Sequence, residues 1–216
     1  MRDYFKAERD KLKVMTFREK RQYIWEYYKV HILATLGILT LFGTVIYTVF
    51  INPPQRDYIY IAWVGVPVSF EELDNLSAGL SVIVPDSDRY VVRVTDYSST
   101  GNPQIDMSVQ SRFLAMLQIG SIDLFISSLE GITEISEQGF LQSIDALPTD
   151  NPDLSERIAQ RSIWAETNEA FMFVSLENSQ VFAAAGIDTS DLYLGVLFNT
   201  GRLDLLAELM GVIFDE

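Results

Sequence analysis

The sequence predicts an α/β architecture: one N-terminal transmembrane helix, then a single doubly wound, mostly parallel α/β domain. Three observations lead there. Ile32 to Ile51 is a twenty-residue run without a charged side chain; the charge changes sign near residue 31; and beyond Tyr58 short apolar runs alternate with segments of helical period. These divide the 216 residues into a basic tail (1–31), the span (32–51), a short linker (52–56) and an outer domain (57–216).

The tail carries nine of the chain's 16 Lys and Arg residues against five acidic ones, leaving seven basic and 25 acidic residues beyond it. All seven of those basic residues are Arg, and the remainder has a net charge of −18 within a chain total of −14. Mixed among the tail's charges are Tyr4, Phe5, Leu12, Val14, Met15 and Phe17. Residues 1–22 therefore read either as a helix lying on an anionic leaflet or as a topology signal alone.

At ~1.5 Å rise per residue, residues 32–51 cross a hydrocarbon core of ~30 Å. A cleaved secretion signal has an apolar stretch of only ~7–15 residues closed by small residues, whereas this run ends Tyr47-Thr48-Val49-Phe50-Ile51. With no Cys in the chain, lipid attachment through a thioether is excluded, so the helix reads as a retained signal anchor. Lys13, Arg18, Lys20, Arg21 and Lys29 precede the span and only Arg56 follows it closely, which orients the N-terminus to the cytoplasm and the C-terminal 165 residues outside the cell membrane. Tyr23, Trp25, Tyr27, Tyr28 and His31, the sole imidazole, form an aromatic belt at the inner interface. Within the span Thr40 and Thr44 have small-xxx-small spacing, whereas Gly37 and Gly43 do not.

After Asn52-Pro53-Pro54, Tyr58–Val64 is apolar on both faces, as a central strand requires. Ser69 with Glu72 forms a capping box before a helix striped by Leu73, Leu76 and Leu80. Tyr90–Thr95 is a second strand, and Asp106 is placed to cap a helix bearing Val109, Phe113, Met116 and Leu117, ended by Gly120. Ile122–Ser127 is a third strand, with Asp123 a structural residue at its start, and Glu130–Gln138 is a helix closed by Gly139. This order predicts parallel strands with right-handed crossovers. A loop around Pro148, a helix over 153–160, apolar runs at 170–176 and 192–198, and a terminal helix with Leu206, Leu209, Met210 and Ile213 complete the domain.

The stretch Arg112 to Ile126, with Gly139-Phe140-Leu141 and Ile144-Asp145 after it, resembles the helix, glycine turn, Asp and apolar strand of extracellular solute-binding proteins of ABC importers. Tyr193 to Asn199 is similar to the strand by which such chains return to their first lobe. Met15 to Arg21 and Tyr27 to Leu33 resemble the N-termini of small single-pass proteins of Gram-positive bacteria whose outer domain is a reduced, type II periplasmic-binding-protein-like form of that fold. The resemblance implies a membrane-anchored binding or sensing component beside a membrane transporter. At 165 residues there is room for one lobe and not two, and a helix stands where the lipid-attachment Cys is usual. The alternative is a lobe without a ligand, serving as an accessory or scaffold for another membrane protein.

Ligands of open parallel sheets bind beyond the carboxyl ends of the strands. That rule gathers Gly65 to Pro67, Asp96 to Gly101, and Ser127, Ser128 and Glu130. A small polar solute is expected there, hydrogen-bonded by Gly65, Asp96, Ser98, Ser127, Ser128 and Glu130, with Tyr97 or Trp63 stacking on it. The competing reading of the same residues is turn and cap chemistry. Asp86 and Asp88 lack the Gly and Glu of a calcium loop and read as a turn; Asp188 and Asp191 read as a cap and a turn.

No nucleophile elbow, phosphate loop, dinucleotide glycine signature or paired-His metal motif occurs, no cofactor is indicated, and the chain reads as a non-enzyme. Two carboxylates suffice for glycoside hydrolysis, but no pair among the 25 stands out. A body of charge −18 repels nucleic-acid phosphates. The partners expected are the lipid bilayer, a membrane transporter or other membrane protein, and a small polar solute.

Overall fold

A computed structural model describes residues 13, 15–51, 54–149, 151–165 and 170–214, with the side chains of residues 164, 165 and 171 excepted. Of the expected leaflet helix, residues 1–22, residues 1–12 and 14 lie outside the described residues, as do Asn52 and Pro53 of the expected helix stop; residues 17–22 are helical and continuous with the span. The chain divides into two compact units, one ending at Pro54 and one beginning at Gln55.

The first unit is a helix, α1 (Phe17–Ile46), extended by a π-helical turn, Tyr47–Ile51. It starts well inside the tail. Thr16 and Glu19 form a reciprocal capping box, the Glu19 carboxylate accepting the Thr16 N–H at 2.8 Å. Phe17–Ile51 is long and apolar enough to cross a membrane, and none of it is buried. At ~1.5 Å per residue it exceeds a ~30 Å hydrocarbon core, so the expected span is the later part of a longer helix. Thr40, Thr44 and Thr48 each donate their hydroxyl to the carbonyl four residues back, at 2.9 Å, which satisfies these three donors within the helix. Tyr23 meets Tyr27 at 4.7 Å and Tyr28 edge-on at 6.4 Å, and Tyr28 in turn meets His31 edge-on at 6.3 Å.

The second unit is built on one mixed sheet. β1 (Arg56–Trp63) lies between β2 (Tyr90–Asp96) and β3 (Leu124–Ser127) and is parallel to both. β7 (Tyr193–Leu197) continues the sheet beside β3, followed by β6 (Ala170–Ser175) and β5 (Ser162–Ala165). These last three pairings are antiparallel. A two-residue strand, β4 (Leu141–Gln142), shares the β6 edge of β7, also antiparallel. The expected parallel order thus holds for three strands, and the rest of the sheet corrects it. The connections β1–β2, β2–β3 and β3–β4 each pass through a helix between parallel strands, whereas β5–β6 and β6–β7 turn back on an adjacent strand.

Strand residues alternate between two cores. Ile59, Ile61 and Trp63 face α2 (Phe70–Leu80), α5 (Pro152–Arg161), α6 (Gln180–Ala184) and α7 (Leu203–Ile213). Tyr60, Ala62 and Phe125 face α3 (Pro103–Gln118) and α4 (Leu129–Glu137). The Ser69–Glu72 capping box forms as expected, and Gly120 takes φ +67° after α3. Asp106, however, does not cap α3: Asn102 does, with Pro103 opening the first turn. The Asp106 carboxylate instead accepts from Ser99 (2.6 Å) and Thr100 (2.7 Å) in the preceding loop.

Asp123 fastens the core. It is 2% exposed and accepts from the Tyr60 N–H (2.9 Å), the Thr200 hydroxyl (2.7 Å) and the Arg202 guanidinium (2.9 Å), tying β1 and β3 to the start of α7. Asp86 accepts from the Arg89 and Tyr90 N–H groups through its carbonyl, a turn as read from the sequence.

Candidate functional site

The carboxyl ends of β1, β2 and β3 do bring the three expected loops together. Gly65, at φ +77°, donates its N–H to Ser98 Oγ at 2.8 Å, and Ser127 Oγ donates to the Val64 carbonyl at 2.8 Å. The Asp96 carboxylate accepts the Ser98 N–H at 2.8 Å, and Ser128 caps α4. These groups are committed to one another. Two expected stacking rings are buried. Trp63 is 0% exposed with its indole N–H on the Val66 carbonyl, and Tyr97 is 7% exposed with its hydroxyl 2.8 Å from that of Tyr60. Burial, with the Tyr60 hydrogen bond second, pushes the Tyr97 phenol far above its ordinary pKa. Ser127 is buried as well. Trp63 and Ser127 are the last residues of β1 and β3 and Tyr97 directly follows β2, where the strand alternation carries side chains into the core.

The remaining expected residues are divided among clefts. β1 is followed by α2 on one face and β3 by α4 on the other, so the gap between their loops is a topological switch point. A cleft of about 520 Å³ opens there, lined by the Gly65–Val68 turn, Glu72, Ser128 and residues 186–188, 190 and 191. A second, of about 460 Å³, lies between α3 and α4, floored by Val64, Tyr97, Phe113 and Phe125 and edged by Ser98, Asp106 and Glu134. Asp96 lines a third groove, beside Arg93 and Phe70 along the free edge of β2, and Glu130 lines none of these three.

The switch-point cleft is walled by acidic and hydroxyl groups. Asp191 accepts the Leu129 N–H at 3.3 Å, sharing the N-terminus of α4 with Ser128. Asp188 accepts the Ser190 N–H at 3.0 Å. The Ser69 N–H and hydroxyl hold the Glu72 carboxyl below the ordinary carboxylate range, so it is ionised at neutral pH. Three carboxylates and two serine hydroxyls thus face a cleft with no Lys, Arg or His in its lining. No imidazole is among the residues lining the cleft beside either serine. No group of three acidic or His side chains among the described residues is placed to hold a metal ion.

Glu72, Asp188, Ser190 and Asp191 are the polar lining residues that strand-end reasoning missed, with Val68, Gly186 and Ile187 beside them. The 186–191 loop enters because β7 runs antiparallel to β3, pairing Tyr193 with Ser127. That returns the start of β7 to the carboxyl end of β3. Comparison with known protein families, curated proteins and solved structures yields no match to this chain.

Proposed function

We propose that the protein is a single-pass, membrane-anchored binding or sensing component, with its N-terminus cytoplasmic and an outer domain, resembling one lobe of a solute-binding protein, that takes a small polar solute in the switch-point cleft. The cleft itself carries the reading: about 520 Å³ at the carboxyl ends of parallel strands, walled by carboxylates, hydroxyls and a glycine turn. The Lys and Arg excess before residue 32 supports the orientation. With acidic walls and no cationic one, solutes bearing an amine or several hydroxyls fit best.

The test is a thermal-shift panel of amino acids, polyamines, sugars and oligopeptides on the detergent-solubilised full chain. A solute at ~100 times its Kd adds about 2.7 kcal/mol, which is roughly 5–11 °C for a domain of this size. A saturable shift from one chemical class, lost in Asp191→Ala, supports the reading; a shift unchanged in that variant sinks it.

The alternative, an accessory or scaffold subunit, draws support from a different observation. Trp63, Tyr97 and Ser127 are turned into the core, while the outward side of α3 presents Met107, Ser111, Leu114, Ala115 and Gln118, without a charge. A folded protein that responds to no solute, but crosslinks to one membrane protein through a probe at Ser111, would favour it.

A further inference from the structure

We infer that the outer edge of β2, from Val94 to Asp96, takes an extended peptide as an added strand, with a basic side chain opposite Val94. β2 ends the sheet on its side and is paired along one edge only, to β1. Which of its backbone groups face outward follows from the bonds that hold it. The Arg56 N–H donates to the Arg89 carbonyl at 2.7 Å and the Tyr97 N–H to the Trp63 carbonyl at 2.8 Å, so odd-numbered residues turn their backbone groups toward β1 and even-numbered ones away from it. Over the first half of the strand the outward groups are closed in turn. Tyr90 donates its N–H to the Asp86 carbonyl at 2.9 Å; Val92 donates its N–H to Ser81 Oγ at 3.1 Å and accepts from Ser77 Oγ, hydroxyls supplied by α2 and the turn after it. Past Val92 this cover stops. No described residue meets the outward N–H and C=O groups of Val94 and Asp96. Covering an edge is how folded proteins block strand addition, and here only half of the edge is blocked.

The open groups select the occupant. Two donor–acceptor pairs one strand repeat apart, ~6.6 Å, are matched by the main chain of an extended peptide, as in other cases of strand addition. In an antiparallel pair the peptide residue opposite Val94 exchanges both hydrogen bonds with it, and the residue two before does the same with Asp96. The groove beside these groups, about 550 Å³, gives the side-chain preference. Val94 belongs to the half of β2 whose side chains face α2, so the peptide residue opposite it points to the same side, where Phe70, Leu73 and Asp74 form the wall. Phe70 is 85% exposed and offers a ring to an aliphatic stem, and Asp74 offers a carboxylate to its cationic end. Asp96 adds a second negative charge to the lining, whereas Arg93, the cation there, is held by Asp57. A lysine or arginine therefore fits opposite Val94, and an acidic side chain is repelled.

The test uses capped peptides acetyl-Thr-Val-X-Val-amide, short enough to stop before the blocked Val92, in which X is Lys, Nα-methyl-Lys or Glu. Each is titrated into the detergent-solubilised full chain, and protection of residues 90–97 is read by hydrogen exchange and mass spectrometry. The Lys peptide should protect this segment saturably. The Nα-methyl peptide keeps the side chain but cannot donate to the Val94 carbonyl, and should bind about tenfold more weakly. The Glu peptide should bind more weakly than the Lys peptide, and Asp74→Lys should reverse that order. Val94→Pro removes an N–H that faces away from β1, a position where an edge strand tolerates proline, so the variant should fold by circular dichroism and give no protection. The Nα-methyl peptide and Asp74→Lys leave Val94 itself unchanged and decide the matter if that variant does not fold. Equal binding of the Nα-methyl and parent peptides, equal binding of the Lys and Glu peptides, undiminished binding to folded Val94→Pro, or no protection by any peptide overturns the inference. Ser190→Trp should leave the binding unchanged, which separates this edge from the switch-point cleft.

Discussion

Gly131, in the first turn of α4, is the position where one methyl group tests how the strand ends are held. A Cβ there would lie 2.2 Å from Ser127 Oγ and 3.3 Å from Ser127 Cβ. The first distance is impossible and the second tight, so Gly131→Ala must swing the Ser127 hydroxyl off the Val64 carbonyl that it meets at 2.8 Å. Losing that bond costs ~0.5–1.5 kcal/mol, and crowding a packed site costs ~1–3 kcal/mol. Replacing a helical Gly returns up to ~1 kcal/mol. The net is a destabilisation of about 1–3 kcal/mol, or roughly 2–12 °C in Tm for a domain of this size. Ser127→Ala alone should cost about 1 kcal/mol. In the double variant the Oγ clash is gone, so the two changes should be strongly sub-additive, with the pair costing little more than Ser127→Ala. Near-UV circular dichroism melts of the four full-length proteins in one detergent complete the cycle. A Gly131→Ala protein as stable as the parent, or strictly additive changes, would refute the close packing of β3 against the start of α4.

Three other perturbations have defined outcomes. Asp123→Ala strands the buried Tyr60 N–H and frees the half-exposed Arg202 guanidinium, and should cost about 3 kcal/mol in chemical denaturation, the low end for breaking a buried pair; a cost below that of an ordinary surface substitution would contradict the network. Asp106, held low first by the Ser99 hydroxyl and then by the Thr100 N–H, and Glu72, held low by Ser69, bind protons more readily unfolded than folded. Their contribution is complete above the unfolded values of ~3.9 and ~4.3 and disappears as pH falls through the folded ones, so Tm measured from pH 7 to 3 should fall less steeply in Glu72→Gln/Asp106→Asn than in the parent; parallel curves would count against it. Leu39→Arg, near the middle of the apolar run, should make insertion about 3–4 kcal/mol less favourable, releasing protein from membranes in a carbonate wash that the parent survives.

The features legible in the sequence were those set by local physics. Capping at Ser69, helix arrest at Gly120 and Gly139, and the apolar Tyr58–Val64 run all declare themselves within a few residues, and all recur in the fold. β4 and β5 did not, because a two-residue strand has no period and β5 follows α5 without a loop. The start of α1 was written in Thr16 and Glu19 but masked by the surrounding charges. For the site, the strand-end rule located the right end of the sheet, yet it could not say which side chains of each loop face inward. Trp63 and Tyr97 went to the core by alternation, and Asp188 and Asp191 came in through an antiparallel strand whose partner no local pattern reveals.

The most direct single measurement is the solute thermal-shift panel run in parallel on the full-length parent and on Ser190→Trp, in which an indole fills the switch-point cleft without touching the core. A saturable rise of several degrees with one chemical class in the parent, and none in Ser190→Trp of equal starting Tm, is the expected result. The same shift in both proteins, or no shift with any solute in a folded parent, would contradict solute binding at that cleft.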